Sequence, residues 1–151
     1  MKTLICFGTR PEYLKVKPLL LDNPSFDTLF IKQHVDIIDF GEPTHSIEVD
    51  NLCNNRLNSI FQQILLKAEK IIDSYENIVI QGDTATVAAT ALAAYNLKKK
   101  IFYIESGLRS FDLENPYPEE GYRQMVSRIA TVNFCPTDLS AQNLRNEKVL
   151  G

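Results

Sequence analysis

Short apolar runs, each closed by turn or polar residues, set the strongest limit on what this chain can fold into. They are Thr3–Phe7, Asn77–Ile80, Ile101–Ile104 and Val132–Cys135, with a weaker run at Thr28–Ile31. Runs so short and so apolar suit strands buried on both faces, as in a parallel sheet covered by helices. Helical patterns lie between them. Residues 12–22 place Leu14, Pro18, Leu19 and Leu21 at mostly helical spacing. Residues 57–74 carry Leu57, Ile60, Phe61, Ile64, Leu65, Ala68, Ile71 and Ile72 as a stripe of i, i+3, i+4, i+7 spacing. Residues 84–97 are rich in Ala, a strong helix former able to pack closely on a sheet, and 119–130 and 138–148 read as two more helices. Strand alternating with helix predicts a doubly wound α/β domain: a mostly parallel, Rossmann-like sheet with helices on both faces and right-handed crossovers. The stretch 34–56, with Gly41, Pro43, Asn51, Asn54 and Asn55, is predicted to hold one short strand, Asp36–Phe40, and loops.

Composition narrows the function classes. A length of 151 residues makes one domain the default, and 44% hydrophobic with 23% charged residues is an ordinary globular balance. Sixteen Lys plus Arg against nineteen Asp plus Glu leave −3. No basic excess is available for counterion release, so nucleic acid is not an expected partner. No apolar run approaches the roughly 18 residues of a membrane span. The start, Met1–Phe7, runs straight into Gly8-Thr9-Arg10 and is too short for a signal peptide. Three cysteines (Cys6, Cys53, Cys135) are odd in number, widely spaced and without a CxxC pair. Both a disulfide scaffold and a zinc site are therefore poor readings, no metal site is expected, and the cytoplasm is the expected location.

In open α/β sheets ligands bind outside the carboxyl ends of the strands, so the residues just after each strand are the place to look. After the first comes Gly8-Thr9-Arg10-Pro11-Glu12. Thr9-x-x-Glu12 is a capping box and Pro11 suits a first helical turn, but neither employs Arg10. A cation at an already positive helix end makes sense where an anion docks. With no GxGxxG and no GxxxxGK[ST], neither a dinucleotide cofactor nor a P-loop is supported. After Ile80 comes Gln81-Gly82-Asp83-Thr84, where Asp83 or Thr84 suits a helix N-cap. After Ile104 comes Glu105-Ser106-Gly107-Leu108-Arg109, which puts an acid at a strand's carboxyl end. The last segment, Glu114 to Arg123, reads as a helix start at Pro118-Glu119-Glu120, with Glu119 and Arg123 at ion-pair spacing. Each loop has a bland account. Together they aim Arg10, Asp83, Glu105 and Glu119 at one edge of one sheet, and crowded acids beside arginines suit acid/base chemistry on an anionic substrate.

Gly8-Thr9-Arg10-Pro11-Glu12, Gly82-Asp83-Thr84, Glu105-x-Gly107-Leu108-Arg109-Ser110, Pro116-x-Pro118-Glu119-Glu120-x-x-Arg123 and Phe134-x-Pro136-Thr137 resemble the UDP-N-acetylglucosamine 2-epimerase family, in its order and at nearly its spacing. The resemblance spans the chain but only the amino-terminal half of a family member. It implies that residues 1–151 are the N-terminal domain of a two-domain enzyme of GT-B type, whose C-terminal nucleotide-binding domain is absent from this chain. It implies interconversion of UDP-N-acetylglucosamine and UDP-N-acetylmannosamine without metal or other cofactor. In that chemistry a base removes the C2 proton, UDP leaves from C1 to give 2-acetamidoglucal, and UDP adds back. A hydrolysing branch releases free N-acetylmannosamine and UDP instead.

The motif-matched acids Asp83, Glu105 and Glu119 are the implied catalytic set, and UDP-N-acetylglucosamine or UDP the implied ligand. Arg10 is read as a diphosphate contact, Lys15 as a supporting cation, and Gln33, His34, Arg109 and Arg123 as further substrate-binding residues; His34 reads equally as a sheet-edge packing residue. The full-length enzyme is expected to be a homodimer, and the isolated chain to turn over very little. Where allosteric bacterial members carry a second glutamine and a helical arginine, this chain has Asp36 and Gln63, which favours a non-regulated or hydrolysing member. The rival readings are a GT-B glycosyltransferase fragment and a non-catalytic α/β binding domain.

Overall fold

A computed structural model describes residues 1–33 and 41–151. His34 and the predicted strand Asp36–Phe40 lie outside the described residues. The elements run β1 (Thr3–Phe7), α1 (Arg10–Asp22), β2 (Asp27–Gln33), β3 (His45–Val49), α2 (Arg56–Lys67), α3 (Glu69–Asp73), β4 (Asn77–Gln81), α4 (Ala85–Asn96), β5 (Lys100–Ile104), α5 (Glu119–Ile129), β6 (Val132–Phe134) and α6 (Asp138–Asn146). The strands form one sheet in the order β3-β2-β1-β4-β5-β6, with every neighbouring pair parallel. The doubly wound α/β fold predicted from the alternating runs is the fold observed.

The period-two alternation of β1 sorts its side chains between two cores. Leu4 and Cys6 face a large core with Ile64 of α2, Ile72 of α3, Val87 and Ala91 of α4, and Val126 of α5. Ile5 and Phe7 face a smaller core with Val16 of α1. Right-handed crossovers explain the unequal sharing. The path β1-α1-β2 steps one way along the sheet, while β4-α4-β5-α5-β6 steps the other, so the two sets of helices fall on opposite faces. α1 leaves part of its face uncovered, and Leu19, Phe26, Val79, Phe102, Ile104 and Phe134 line an apolar groove of about 560 Å³ there. The alanines of α4 let it come close to the sheet: a Cβ on Gly8 at the end of β1 would stand 2.9 Å from the Thr86 methyl group.

Two elements differ from expectation. The stripe over 57–74 is α2 and α3 with a break at Ala68, although the Ile72 N–H still reaches the Ala68 carbonyl at 2.8 Å. β3 lies in a stretch expected to be loop. Its Ile47 and Val49 are buried while Ser46 and Glu48 are exposed, the alternation of an edge strand with one wet face, which leaves no continuous apolar run to mark it. Among the described residues no helix is long and apolar enough to cross a membrane.

Candidate active site

The strand order reverses between β1 and β4, and the crevice at their carboxyl ends is where open α/β sheets take ligands. A cleft of about 400 Å³ opens there, lined by Thr9, Pro11, Glu12, Lys15, Gln81, Gly82, Asp83, Thr84 and Glu105. Its floor is tied across the switch point by Glu12. This carboxylate accepts the Gly8 N–H at 2.7 Å and the Thr9 N–H at 3.2 Å, and the Thr84 hydroxyl donates to it from the opposite loop at 2.8 Å. The capping box read from the sequence is present, with Thr9 accepting the Glu12 N–H. Its carboxylate also reaches across to β4's loop, which the local pattern does not reveal. Burial pushes the proton affinity of Glu12 up, against the hydrogen bonds that pull it down. Gly82 holds a φ of +90°, a conformation costly for any residue with a Cβ, and its carbonyl accepts the Tyr103 hydroxyl at 2.8 Å.

Glu105 stands at the end of β5 with a φ of +66°, in the left-handed region that costs a non-glycine residue roughly 1–3 kcal/mol. Its carboxylate is gripped from two elements: the Lys15 ammonium of α1 lies 2.6 Å away, and the Gln81 amide of β4 donates to Oε2. The pair is partly open to solvent, with Glu105 26% and Lys15 49% exposed, so an incoming anion has access to the lysine.

Asp83 follows Gly82 on the same rim. Its proton affinity is raised, first by burial and then by the negative charges of Glu119 and Glu105, against the opposing charge of Arg123. Asp83 and Glu105 line the cleft, whereas Glu119, at the start of α5, is not among its lining residues and acts on Asp83 as a nearby negative charge. Arg123 of α5 lies 3.7 Å from Asp83 Oδ2 and 2.9 Å from Glu120 Oε2. The helical spacing of Glu119 and Arg123 suggested an ion pair between them. The arginine is instead held by its i−3 neighbour Glu120, whose side chain is wholly enclosed while Glu119 stays half-buried. Among the described residues no group of His, Cys, Asp and Glu is placed to hold a metal ion.

The other predicted ligand residues divide. Arg10 is exposed in the first turn of α1, next to Thr9 and Pro11 of the cleft wall. Gln33 is engaged on both sides: its amide nitrogen donates to the Thr86 hydroxyl at 2.5 Å, and its oxygen accepts from Arg56 at 3.1 Å. Arg109, expected at the ligand, is turned inward. Its side chain has no exposed surface, and it bonds both oxygens of Glu147 at 2.7 and 3.1 Å and the Ser127 hydroxyl at 2.7 Å, clamping α5 to the end of α6. The same motif thus contributes one residue to the rim, Glu105, and one to the interior. Sequence reasoning missed Gln81 and Glu120 at this site. Gln81 ends an apolar strand, where an amide signals a polar partner, whereas Glu120 sits beside Glu119 with no feature to separate their roles.

A parallel α/β sheet with acids and a cation gathered at its switch point has the architecture of the open α/β domains, whose ligands sit at the strands' carboxyl ends. The sequence profile described as UDP-N-acetylglucosamine 2-epimerase matches residues 24–150, and the chain belongs to that family. It is similar to the UDP-N-acetylglucosamine 2-epimerase of Campylobacter jejuni, 38% identical over 97% of this chain and 41% of the relative. It is also similar to that of Salmonella borreze, 35% identical over 98% of this chain and 42% of the relative. A crystal structure of UDP-GlcNAc 2-epimerase from Neisseria meningitidis bound to UDP-GlcNAc superposes with a TM-score of 0.89, at 29% identity, over 99% of this chain and 44% of that one. A Methanocaldococcus jannaschii UDP-GlcNAc 2-epimerase in complex with UDP-GlcNAc and UDP superposes with a TM-score of 0.83 at 30% identity, over 99% of this chain and 44% of that one. The chain spans about two fifths of the length of the relatives it matches.

Proposed function

We propose that this domain supplies the acid/base half of a UDP-N-acetylglucosamine 2-epimerase. The observation that supports the reading is the meeting of Asp83 and Glu105 with Lys15 at one cleft on the switch point, with Arg123 3.7 Å from Asp83 and the Glu119 charge acting on the same carboxyl. Epimerisation at C2 needs a base on one side of the sugar carbon, an acid on the other, and charge stabilisation for UDP as it leaves C1. Acid/base groups supply roughly 10²–10⁴-fold in rate. The remainder falls largely to cations at the departing diphosphate, which act as charge develops. Arg10 at the positive end of α1 and Lys15 one turn further on suit that task. A diphosphate that draws Lys15 away leaves the Glu105 carboxylate free to accept a proton. Asp83, with its raised proton affinity, is the acid best suited to hold one. The expected course is elimination of UDP to 2-acetamidoglucal and its re-addition.

Gln63 favours a second branch. Its amide is enclosed by the Asp50 N–H and carbonyl, Ser59 and Lys67, so it braces the loop after β3 and has no free end for an effector. That fits a member without substrate activation, or one that hydrolyses the substrate to N-acetylmannosamine and UDP.

The test mixes the chain with the carboxy-terminal portion of the Campylobacter relative and incubates both with UDP-N-acetylglucosamine in D2O. Deuterium at C2 of the product is expected, abolished by Asp83→Asn or Glu119→Gln. UDP-N-acetylmannosamine marks the epimerising branch and free sugar the hydrolysing one. Full deuterium incorporation with all three acids neutralised overturns the proposal.

A further inference from the structure

Glu120 has no exposed surface and is not among the residues lining the cleft, yet three donors converge on it. Its Oε2 accepts the Ser110 N–H at 3.0 Å, and its Oε1 accepts the Phe111 N–H at 3.1 Å and the Gln124 amide at 2.8 Å. Phe111 holds a φ of +62°, which bulky L residues rarely adopt, so the turn bonded to Glu120 is one that does not form for free. The same Oε2 lies 2.9 Å from Arg123 Nε. The Arg123 side chain is 12% exposed, and its Nε–H has no hydrogen-bond acceptor even though two carboxylates stand near it. Charge, rather than a directed hydrogen bond, therefore holds this cation between Glu120 and Asp83.

We infer that Glu120 is a positioning residue: it latches the Ser110–Phe111 turn and divides Arg123 with Asp83, fixing how much of that cation's charge the Asp83 carboxylate meets. This rests on Asp83 being one of the acid/base groups. The charged and titratable groups facing Asp83 are Arg123 and Glu119 from α5, Glu105 and Tyr103 from β5 and its end, and Glu12 from α1. Arg123 is the cation among them that favours the ionised carboxylate. While Glu120 is charged, Arg123 is shared between two acids. Glu120→Gln removes one claimant and one negative charge, so Asp83 binds its proton less tightly. Arg123→Gln has the opposite effect.

The test is a carbon-13 NMR titration of the Asp83 carboxyl in the wild-type chain and in both variants, and of the Glu120 carboxyl in the wild type and Arg123→Gln. The Asp83 midpoint is expected to fall by about one pH unit in Glu120→Gln and to rise by about one in Arg123→Gln, as an opposite charge within a few ångströms dictates. A merely structural Glu120 predicts a lowered melting temperature with the Asp83 midpoint unmoved, and that result overturns the inference. Should Glu120→Gln fail to fold, Arg123→Gln decides through both acids: the Glu120 and Asp83 midpoints should rise together, since each loses the shared cation, and a rise in Asp83 alone, or in neither, overturns the inference. An active Asp83→Asn enzyme would remove the functional reading and leave these midpoint shifts intact, so the two failures are distinguishable.

Discussion

Replacing Glu12 by alanine separates a local helix cap from a tie between two halves of the fold. If the side chain only completes the capping box, its removal costs about 1 kcal/mol. The structure gives it more to hold: a buried bond from the Gly8 N–H at 2.7 Å, a second from Thr9 and a third from Thr84 across the switch point. Alanine leaves the buried Gly8 N–H without a partner, and losing a bond to a charged group costs about 1.5–3 kcal/mol. With the weaker bonds added and their overlap discounted, Glu12→Ala is expected to cost about 3 kcal/mol, or about 6–12 °C in melting temperature for a domain of this size. Thermal and urea unfolding measure both quantities. A double-mutant cycle with Thr84→Ala should show a coupling of about 1 kcal/mol, since the two side chains bond each other directly. A loss near 1 kcal/mol with no coupling to Thr84 refutes the tie and leaves the cap alone.

Three further outcomes follow from named contacts. The donors around Glu120 outweigh its burial and hold its proton affinity below the ordinary glutamate range. Its contribution is therefore present above the unfolded-state value and lost as pH falls through the lowered one, so urea unfolding of wild type and Glu120→Gln should converge as the solution is acidified. Arg109→Ala breaks an enclosed pair with Glu147 and should lower stability by about 3 kcal/mol in urea unfolding. It should leave nucleotide-sugar affinity of the folded fraction unchanged, which equilibrium dialysis checks. Phe134 is 51% exposed at the apolar groove, and Phe134→Ser should weaken the fluorescence of a bound apolar dye without lowering stability by more than about 1 kcal/mol.

The sheet was legible because buried parallel strands announce themselves as continuous apolar runs, and β1, β4 and β5 do; β6, an edge strand with Asn133 between Val132 and Phe134, was marked only by its apolar flanks. β3 was not, because an edge strand carries Ser46 and Glu48 on its wet face and reads as loop. The rim was legible for a topological reason: an acid that follows a buried parallel strand has nowhere to point but the carboxyl edge, and Asp83 and Glu105 obey that rule. Arg109 shows its limit. Beyond the first residues after a strand, the chain's path decides whether a charge faces the cleft or the interior, and that path depends on α6, some 30 residues further along. Glu119 and Glu120 are adjacent and alike in sequence. Their separation into an electrostatic neighbour of Asp83 and an enclosed anchor follows from helix rotation, which only the packing of α5 sets.

Titration of the isotope-labelled chain with UDP-N-acetylglucosamine, followed by backbone amide NMR, tests most directly whether the acids share one ligand site. Shifts are expected at Gly8–Lys15, Gln81–Thr84, Glu105–Gly107 and Glu119–Arg123, saturating together with a single dissociation constant. Shifts confined to one of these segments, or gathered at the opposite, amino-terminal edge of the sheet, contradict the account.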